Sequence, residues 1–411
     1  MWLYPQGLGW AGMRELGEHL RKHAEDYRDA VHRHFFATVA ESRQVFALSM
    51  KDTHPSLAPA LAWVLENVED GGVRGDVAKR LAQMGRDHRR HGFPPEVYPK
   101  FEDSLVQGLT VLGLTPHQHD VATRTISSVC SIMRSAAQEA DAAGTPPAHS
   151  AQVVAVDKPN RNTAVVRLES GMALDYRAGQ HVPVTSQLTP GTWRPLTPAA
   201  PSDDSGQLTF HLALAGEASS MLAKAQPGDW WTLGMPAGEP PQLDSETTLI
   251  SFGTGWAGAR ALLLDALGST LPSGLQVYAV APSPGEHYDT EFQANLQALV
   301  PELTLRHIVR DSQDPWLLGA RPPAAGFNPV VANEPMEPVL AAGTNRRFVL
   351  IGPADRVELA RAALLDGGVA EEAITTDSWQ RGHEWAASAA ELDGWGDDWE
   401  AWAAWKKSQW A

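Results

Sequence analysis

The chain has 411 residues, 43% of them hydrophobic and 20% charged, with a formal net charge of −16 and a single cysteine, Cys130. Such a length predicts about two to three domains, each able to bury its own core. The acidic balance excludes a basic stripe for nucleic-acid phosphates, the lone cysteine excludes an internal disulfide and predicts a reducing compartment, and no apolar run of about 18 residues is present to span a membrane.

The chain opens with Met-Trp-Leu-Tyr, without the basic-then-apolar pattern of a secretory signal, so a cytoplasmic location is expected. Residues 12 to about 142 carry helical periodicity. Leu16, Leu20 and His23 begin one face; Val31, Phe35, Val39 and Val45 mark a second; Leu57, Leu61, Val64 and Leu65 give a third. Val77, Leu81 and Met84 lead into His88. Leu105, Leu109 and Leu112 follow, then Val121, Ile126, Val129, Ile132 and Met133, and Gly-Thr-Pro-Pro at 144–147 ends the helical region. Within it, His88 to Tyr98 reads His-Arg-Arg-His-Gly-Phe-Pro-Pro-Glu-Val-Tyr: an imidazole near a helix end, a break, and a helix restarting on Glu96. A histidine held that way can offer a ring nitrogen to a flat cofactor, most commonly haem. His91, three residues on, is the second candidate on that face, and an isolated helix histidine is otherwise a surface or satisfied core residue.

Beyond residue 147 the period shortens. Segments 151–156, 163–168, 181–184 and 208–214 read as short strands separated by turns, ending near Pro241, which predicts a small antiparallel β-barrel. From Thr247 strands and helices alternate. An apolar strand at 248–251 meets Ser251-Phe-Gly-Thr-Gly-Trp-Ala-Gly258 and a helix over 259–267, with further strands at 277–280, 303–308 and 347–351. This predicts a doubly wound parallel sheet whose glycine-rich turn takes a dinucleotide phosphate. The expected division is a helical domain over 1–145, a β-barrel over 150–242, a doubly wound domain over 243–382, and a tail over 383–411, the first three of which the resemblance described below makes globin-like, FAD-binding and NAD(P)-binding in turn. That tail carries Trp395, Trp399, Trp402 and Trp405 at spacings of four, three and three, a stripe along one helical face. It predicts a surface for a protein partner or self-association, or a segment folded back on its own chain.

The His88–Tyr98 segment resembles the proximal segment of the globin domain of bacterial flavohaemoglobins, and the order helical domain, barrel, α/β domain resembles their globin fused to a ferredoxin-reductase module. The resemblance covers nearly all of residues 20–380. It implies a haem b whose iron is held by His88, with Tyr98 hydrogen-bonding around that histidine and a carboxylate on the last globin helix completing the network. Glu139 is the nearest carboxylate, with Gln138 or Ala137 as alternatives in an ambiguous register. Phe46 matches the phenylalanine that stacks on haem. Phe36, in His34-Phe-Phe36, falls where the family has its distal tyrosine, and its ring cannot donate a hydrogen bond. The distal glutamine is missing from Thr53-His-Pro-Ser-Leu57, where His54 is the substitute donor.

The same resemblance implies FAD and a nicotinamide cofactor, NADH or NADPH. Trp193-Arg-Pro-Leu-Thr-Pro resembles the flavin motif, with Arg194 for the pyrophosphate, Thr197 for the flavin edge, and Leu196 in place of the tyrosine that packs on the ring. Gln180 lies on the preceding strand, and Gly216, Ser219 and Ser220 match a turn that opens a helix under the pyrophosphate. Gly253, Thr254 and Gly255 keep the centre of the nucleotide loop, while Phe252 replaces its first glycine and Gly258 its proline. Gly352 and Pro353 survive from a Cys-Gly-Pro motif in which Ile351 replaces the cysteine, and Trp379 matches a late aromatic over the flavin. The implied activity is electron transfer from NAD(P)H through FAD to haem, with O2 and NO as gaseous ligands and nitric oxide dioxygenation as the reaction. The substitutions at Phe36, Leu196, Phe252, Gly258 and Ile351 support the alternative of a non-catalytic haem sensor or assembly protein acting through its tail.

Overall fold

A computed structural model describes residues 9–46, 54–68, 72–269, 271–315 and 319–379. They fall into two compact units that divide after Pro147. The tryptophan stripe of the tail lies outside the described residues, as does the side chain of Trp379. Among the described residues no helix is long and apolar enough to cross a membrane.

The first unit is helical. It comprises α1 (Gly9–Lys22), α2 (Ala24–Thr38), α3 (Leu57–Glu66), α4 (Gly75–His88), α5 (Tyr98–Gly108) and α6 (Pro116–Ala142), with short 3-10 turns at Ala40–Val45, Arg89–His91, Pro95–Val97 and Leu109–Leu112. The helix after the His88 break therefore begins on Tyr98 and not on Glu96, because Pro94 and Pro95 hold Pro95–Val97 in a tighter turn first. Leu109 and Leu112 sit in a 3-10 turn closed by Gly113 at φ +62°. The longest helix, α6, starts on a capping box, with Thr115 and Gln118 bonding each other's backbone and Pro116 in the first turn.

One core fills this unit, built on Leu16, Leu20, Tyr27, Val31, Phe35, Leu61, Leu65, Leu81, Ile126 and Met133. Buried polar bonds fix the helix pairs around it. The Arg21 guanidinium donates twice to the Glu66 carboxylate, at 2.8 Å each, joining α1 to α3. Tyr27 donates to the Leu105 carbonyl at 3.0 Å, and His34 Nδ1 meets Ser104 Oγ at 2.9 Å, tying α2 to α5. α4 and α6 cross at Gly85, where a Cβ would lie 2.2 Å from the Met133 carbonyl oxygen.

The second unit holds a barrel and a parallel sheet. The barrel strands are β1 (His149–Asn160), β2 (Thr163–Ser170), β3 (Val182–Ser186), β4 (Arg194–Leu196), β5 (Gln207–Ala213) and, after the short helix α7 (Glu217–Leu222), β6 (Trp230–Leu233). They pair antiparallel in the order β4-β3-β6-β1-β2-β5. The two edges are drawn together by a bridge between Pro198 and Phe210 and by the bond from Ala199 N–H to the Thr209 carbonyl, so the barrel is nearly closed. Val166, Leu168, Val184, Phe210 and Trp231 fill its interior.

The parallel sheet follows: β7 (Thr247–Phe252), α8 (Trp256–Gly268), β8 (Gln276–Ala281), α9 (Thr290–Leu299), β9 (Thr304–Val309), β10 (Val330–Val331), α10 (Glu337–Ala341), β11 (Arg347–Pro353), α11 (Ala354–Asp366) and β12 (Ile374–Trp379). Every pairing is parallel, in the order β10-β9-β8-β7-β11-β12. β7 is buried along its whole length, as a strand covered on both faces must be. Strand order reverses between β7 and β11, so the crevice at their carboxyl ends is the switch point where such sheets take ligands.

Because backbone and not side chain opposes Gly85, Gly85→Ala should cost about 1–3 kcal/mol as an overpacked helix crossing. Denaturant unfolding of the full chain checks this, and a variant of unchanged midpoint would show that α4 and α6 are not in backbone contact there.

Candidate functional site

In the helical unit the site is built around imidazoles. His88 ends α4, and its Nδ1–H donates to the Met84 carbonyl one turn back, at 2.7 Å. That bond fixes the tautomer, leaving Nε2 with a lone pair that can bind a metal. Gly92, at φ +72°, then reverses the chain. Phe93 returns to pack edge-on against His88, with ring centres 6.4 Å apart, and against Tyr98 and Phe101 at 5.0 and 5.5 Å.

The opposite wall comes from α2 and from the segment leading into α3. His32 is fully buried, with its Nδ1–H donating to the Arg28 carbonyl at 2.8 Å. Its ring lies 5.6 Å from Phe36, 5.1 Å from Phe46 and 5.6 Å from His54. The half-buried His54 has ring centres at 6.0 Å to Phe46, 6.4 Å to Phe101 and 6.3 Å to His88. His32 Nε2 and His54 Nδ1 are both buried without a hydrogen-bond partner. Burial lowers the pKa of His32, His54 and His88; neighbouring imidazoles push His54 down further, and His91 is lowered to about 3 by burial, Arg90 and His88. These rings are neutral at pH 7, each with one nitrogen lone pair to offer.

The structure thus brings His88, Phe36, Phe46 and His54 together and adds His32, which the sequence reading missed. Phe36 lines the cluster as an apolar ring beneath the Arg43 guanidinium, 5.1 Å from its centre, while the polar group that α2 presents is His32, one turn earlier on the same face. Tyr98 is buried beside Phe93, but its hydroxyl has no partner, and the bond to His88 comes from Met84 instead. Glu139 is exposed on α6 and is not brought to Tyr98. A cavity of about 300 Å³ adjoins Tyr98 instead, lined also by Glu102, Cys130, Arg134 and Gln138. Gln138 is the alternative whose position reaches it, and Glu102 accepts a bond from Ser127 at 2.6 Å.

In the second unit the flavin-motif residues lie on the barrel edge and its turns. Along β4, Arg194 and Leu196 share one half-buried face while Pro195 is exposed on the other. Arg194 Nη1 donates to the Trp193 carbonyl at 2.8 Å. Gln180 is held in a turn, accepting from Arg177 N–H and donating to the Gly238 carbonyl, both at 2.9 Å. Gly216 caps α7, where Ser219 Oγ donates back to its carbonyl at 3.1 Å and Ser220 N–H bonds it at 2.9 Å. Thr197, half-buried after β4, lies within reach of the sheet. A Cβ on Gly258 would sit 3.6 Å from its methyl group and 3.4 Å from Ile351. Thr197, Gly258 and Ile351 therefore converge where β11 ends.

The nucleotide loop is a tight turn over Gly253–Gly255 between β7 and α8. Gly253 takes φ +55°, and a Cβ on Gly255 would lie 2.2 Å from the Ile351 carbonyl, so only glycine lets the helix start against β11. Thr254 is buried between them. Phe252 fits because Gly352 faces it: a Cβ there would be 2.8 Å from that of Phe252. Pro353 then caps α11. A network with no sequence motif closes this region. Trp256 Nε1–H donates to Asp289 at 2.9 Å, and Arg260 pairs with Asp289 at 3.2 Å, lies 4.2 Å over the Phe292 ring and donates to the Ala199 carbonyl of the barrel. His211 of β5 meets the Tyr288 hydroxyl at 3.0 Å. A cleft bounded by Ser251, Gly253, Trp256, Glu286 and Gln293 lies at the carboxyl ends of β7 and β8.

Residues 150–240 match the family model described as an oxidoreductase FAD-binding domain. No curated protein matches the sequence. The fold resembles a flavohaemoglobin from Malassezia yamatoensis, solved with bound FAD and haem, at 14% identity over 90% of this chain and 97% of that one, with a TM-score of 0.65. Smaller overlaps include the flavohaem-like FAD/NAD-binding domain of a nitric oxide dioxygenase from Vibrio cholerae (19% identity, 56% of this chain, 98% of that one, TM-score 0.44) and a ferredoxin NADP+ reductase from Neisseria gonorrhoeae with FAD and NADP (16%, 57%, 99%, TM-score 0.46). The second unit accordingly has the barrel-and-parallel-sheet fold of a reductase, with the FAD-binding family match at residues 150–240, and the helical unit fits a globin fold.

The second unit also carries His211 and His287, each lowered to about 3 by burial, and His307, lowered to about 4 for the same reason. Unfolded, these rings take up protons near pH 6.5, so below that pH the unfolded chain binds protons that the folded one refuses, and stability falls as pH drops toward about 4. Asp377, raised to about 6 by burial, acts in the opposite sense below pH 6. Burial raises Glu286 and Asp289 as well, but with His32, His54, His88 and His91 of the helical unit lowered alongside these three imidazoles the expected net slope is a loss on acidification, reduced in His211→Asn. Urea midpoints between pH 7.5 and 5 test this; equal midpoints across that range would contradict the sign.

Proposed function

We propose that the chain is an NAD(P)H-dependent flavohaem oxidoreductase: reducing equivalents taken up by the second unit reach a haem iron held by His88, whose gaseous ligands are O2 and NO, with nitric oxide dioxygenation as the reaction. The observation that carries this reading is the fixed imidazole of His88, with its Nε2 lone pair free inside an aromatic cluster, in the same chain as an FAD-binding barrel. When bound, FAD would convert a hydride into single electrons and haem would bind the gas.

The chain's own groups bind and orient. The Met84 carbonyl, by accepting the His88 Nδ1–H, makes Nε2 a stronger donor to iron. Phe93 packs edge-on against the His88 ring, and Phe36, Phe46 and Phe101 belong to the same apolar cluster. The Arg194 fork suits a flavin pyrophosphate, and Thr197 offers a hydroxyl at the flavin edge beside Ile351. The Gly253–Gly255 turn lets backbone N–H groups approach a nicotinamide dinucleotide at the switch point. His32 commits its only proton to the Arg28 carbonyl, so its Nε2 accepts rather than donates and would offer no hydrogen bond to a gaseous ligand.

The purified full chain is expected to show a Soret band and flavin absorbance, with the Soret band shifting to its ferrous position on adding NADH. His88→Ala should abolish the Soret band and keep the flavin; unchanged haem uptake would refute the assignment. Arg194→Ala should weaken FAD retention by about tenfold, the loss of one charge-assisted contact, while leaving haem uptake intact. Undiminished FAD binding in that variant would remove Arg194 from the flavin site.

A further inference from the structure

The imidazole cluster contains a second metal-ligand geometry. The rings of His54 and His88 are 6.3 Å apart, centre to centre, and inclined at 55°. Two metal–nitrogen bonds of about 2.0 Å plus about 1.2 Å from each nitrogen to its ring centre span ~6.4 Å. That separation accommodates one metal between the two imidazoles.

The hydrogen bonding of the same residues points the same way. His32 is locked as the Nδ1–H tautomer by the Arg28 carbonyl, so its Nε2 is a bare acceptor, and it is buried with nothing to accept. His54 Nδ1 is also buried without a partner, and the two ring centres are 5.6 Å apart. An imidazole N–H···N bond of about 2.9 Å between two such rings sets their centres ~5.3 Å apart. The two nitrogens are not bonded to each other, and a turn of the His54 ring with its proton on Nδ1 would pair them. Nε2 of His54 is then the nitrogen left for a metal. His54 is held for this in the left-handed region, at φ +49°, a conformation costly for a residue with a Cβ and found mostly where function demands it. Among the described residues no group of three or more histidine, cysteine or acidic side chains is placed to hold a bare metal ion. Two protein nitrogens suffice only for a metal that brings its equatorial ligands with it, as haem iron does.

We infer that His54 is the second axial ligand of the haem iron, opposite His88, with its Nδ1–H donated to Nε2 of His32 as a positioning residue. This rests on the haem-binding reading of His88. Gas must then displace His54 before it binds, so the iron rests closed and opens by movement of the residues leading into α3.

The test uses the full-length chain loaded with haemin. The expected spectrum is six-coordinate and low-spin in both oxidation states, and the rate of CO binding to the ferrous protein should level off with rising CO as His54 dissociation becomes limiting. His54→Leu should retain haem, turn high-spin and bind CO at a rate linear in its concentration. His32→Leu should stay low-spin but raise the haem midpoint potential, since an unbonded His54 is a weaker donor to ferric iron, and His32→Gln should restore part of the shift. A chain that takes up no haem overturns the reading of His88 and this inference with it. Haem uptake with a five-coordinate or water-ligated spectrum, or a wild-type CO rate linear throughout, overturns the sixth-ligand assignment alone. A low-spin spectrum persisting in His54→Leu does the same.

Discussion

A single bond, from the His88 ring to the carbonyl of its own preceding turn, sets the chemistry of the helical unit. It costs the helix little, since a backbone carbonyl has two lone pairs and that of Met84 can accept from the His88 ring as well as from the helix. In return it removes the freedom of the ring to rotate and settles which nitrogen carries the proton. The surroundings keep α4 where the bond needs it. Gly85 brings α4 onto the backbone of α6, and Gly92 with the two following prolines swings the chain so that Phe93, Tyr98 and Phe101 close around the same ring. An alanine at 85 or a side chain at 92 would act on the imidazole without touching it.

The second unit follows the same logic of close approach. Its nucleotide turn sits against β11 because Gly255 has no Cβ to meet the Ile351 carbonyl, and Phe252 is accommodated because Gly352 opposite it has none either. A substitution that departs from the glycine-rich pattern is thus matched by a glycine one strand away. The bulk at 252 points into the sheet core beside Ile250, Tyr278 and Leu350 and leaves the Gly253–Gly255 backbone at the crevice. The departures from the flavin and nicotinamide motifs are therefore different in kind: Phe252 is absorbed by packing and Leu196 lies against the barrel core, whereas Ile351 faces the converging Thr197–Gly258 region.

Much of this was legible in the sequence wherever a single periodicity decides. The helical faces of α3 and α6, the alternation of β2 and the buried run of β7 were all readable, as was the glycine-rich turn. The strands that escaped notice were those whose pattern is short or interrupted, such as β4 with its central proline and the two-residue β10. The site was legible on the side where local sequence fixes it, because His88 and its bond partner are four residues apart. It was not on the other side. His32 and Phe36 lie one helical turn apart on one face, and periodicity alone cannot say which enters the cluster first; only the packing of Phe46 and His54 against His32 decides. The Trp256–Asp289–Arg260 network was invisible for the same reason, since its members come from two helix starts far apart in the chain.

How the protein treats its other buried histidines gives the cluster its meaning. His211 meets the Tyr288 hydroxyl, His287 donates to the Ile308 carbonyl, His307 meets the Gln293 side-chain oxygen and His34 meets Ser104. Buried polar atoms are expected to be paired in this way, because an unpaired one forfeits its hydration for nothing. Among the described residues the two imidazole nitrogens that break the rule, His32 Nε2 and His54 Nδ1, belong to neighbouring rings, and one of those rings faces His88. The chain satisfies its imidazoles elsewhere and leaves these two open beside a third, already oriented by Met84, at the place where the proposed function puts the haem.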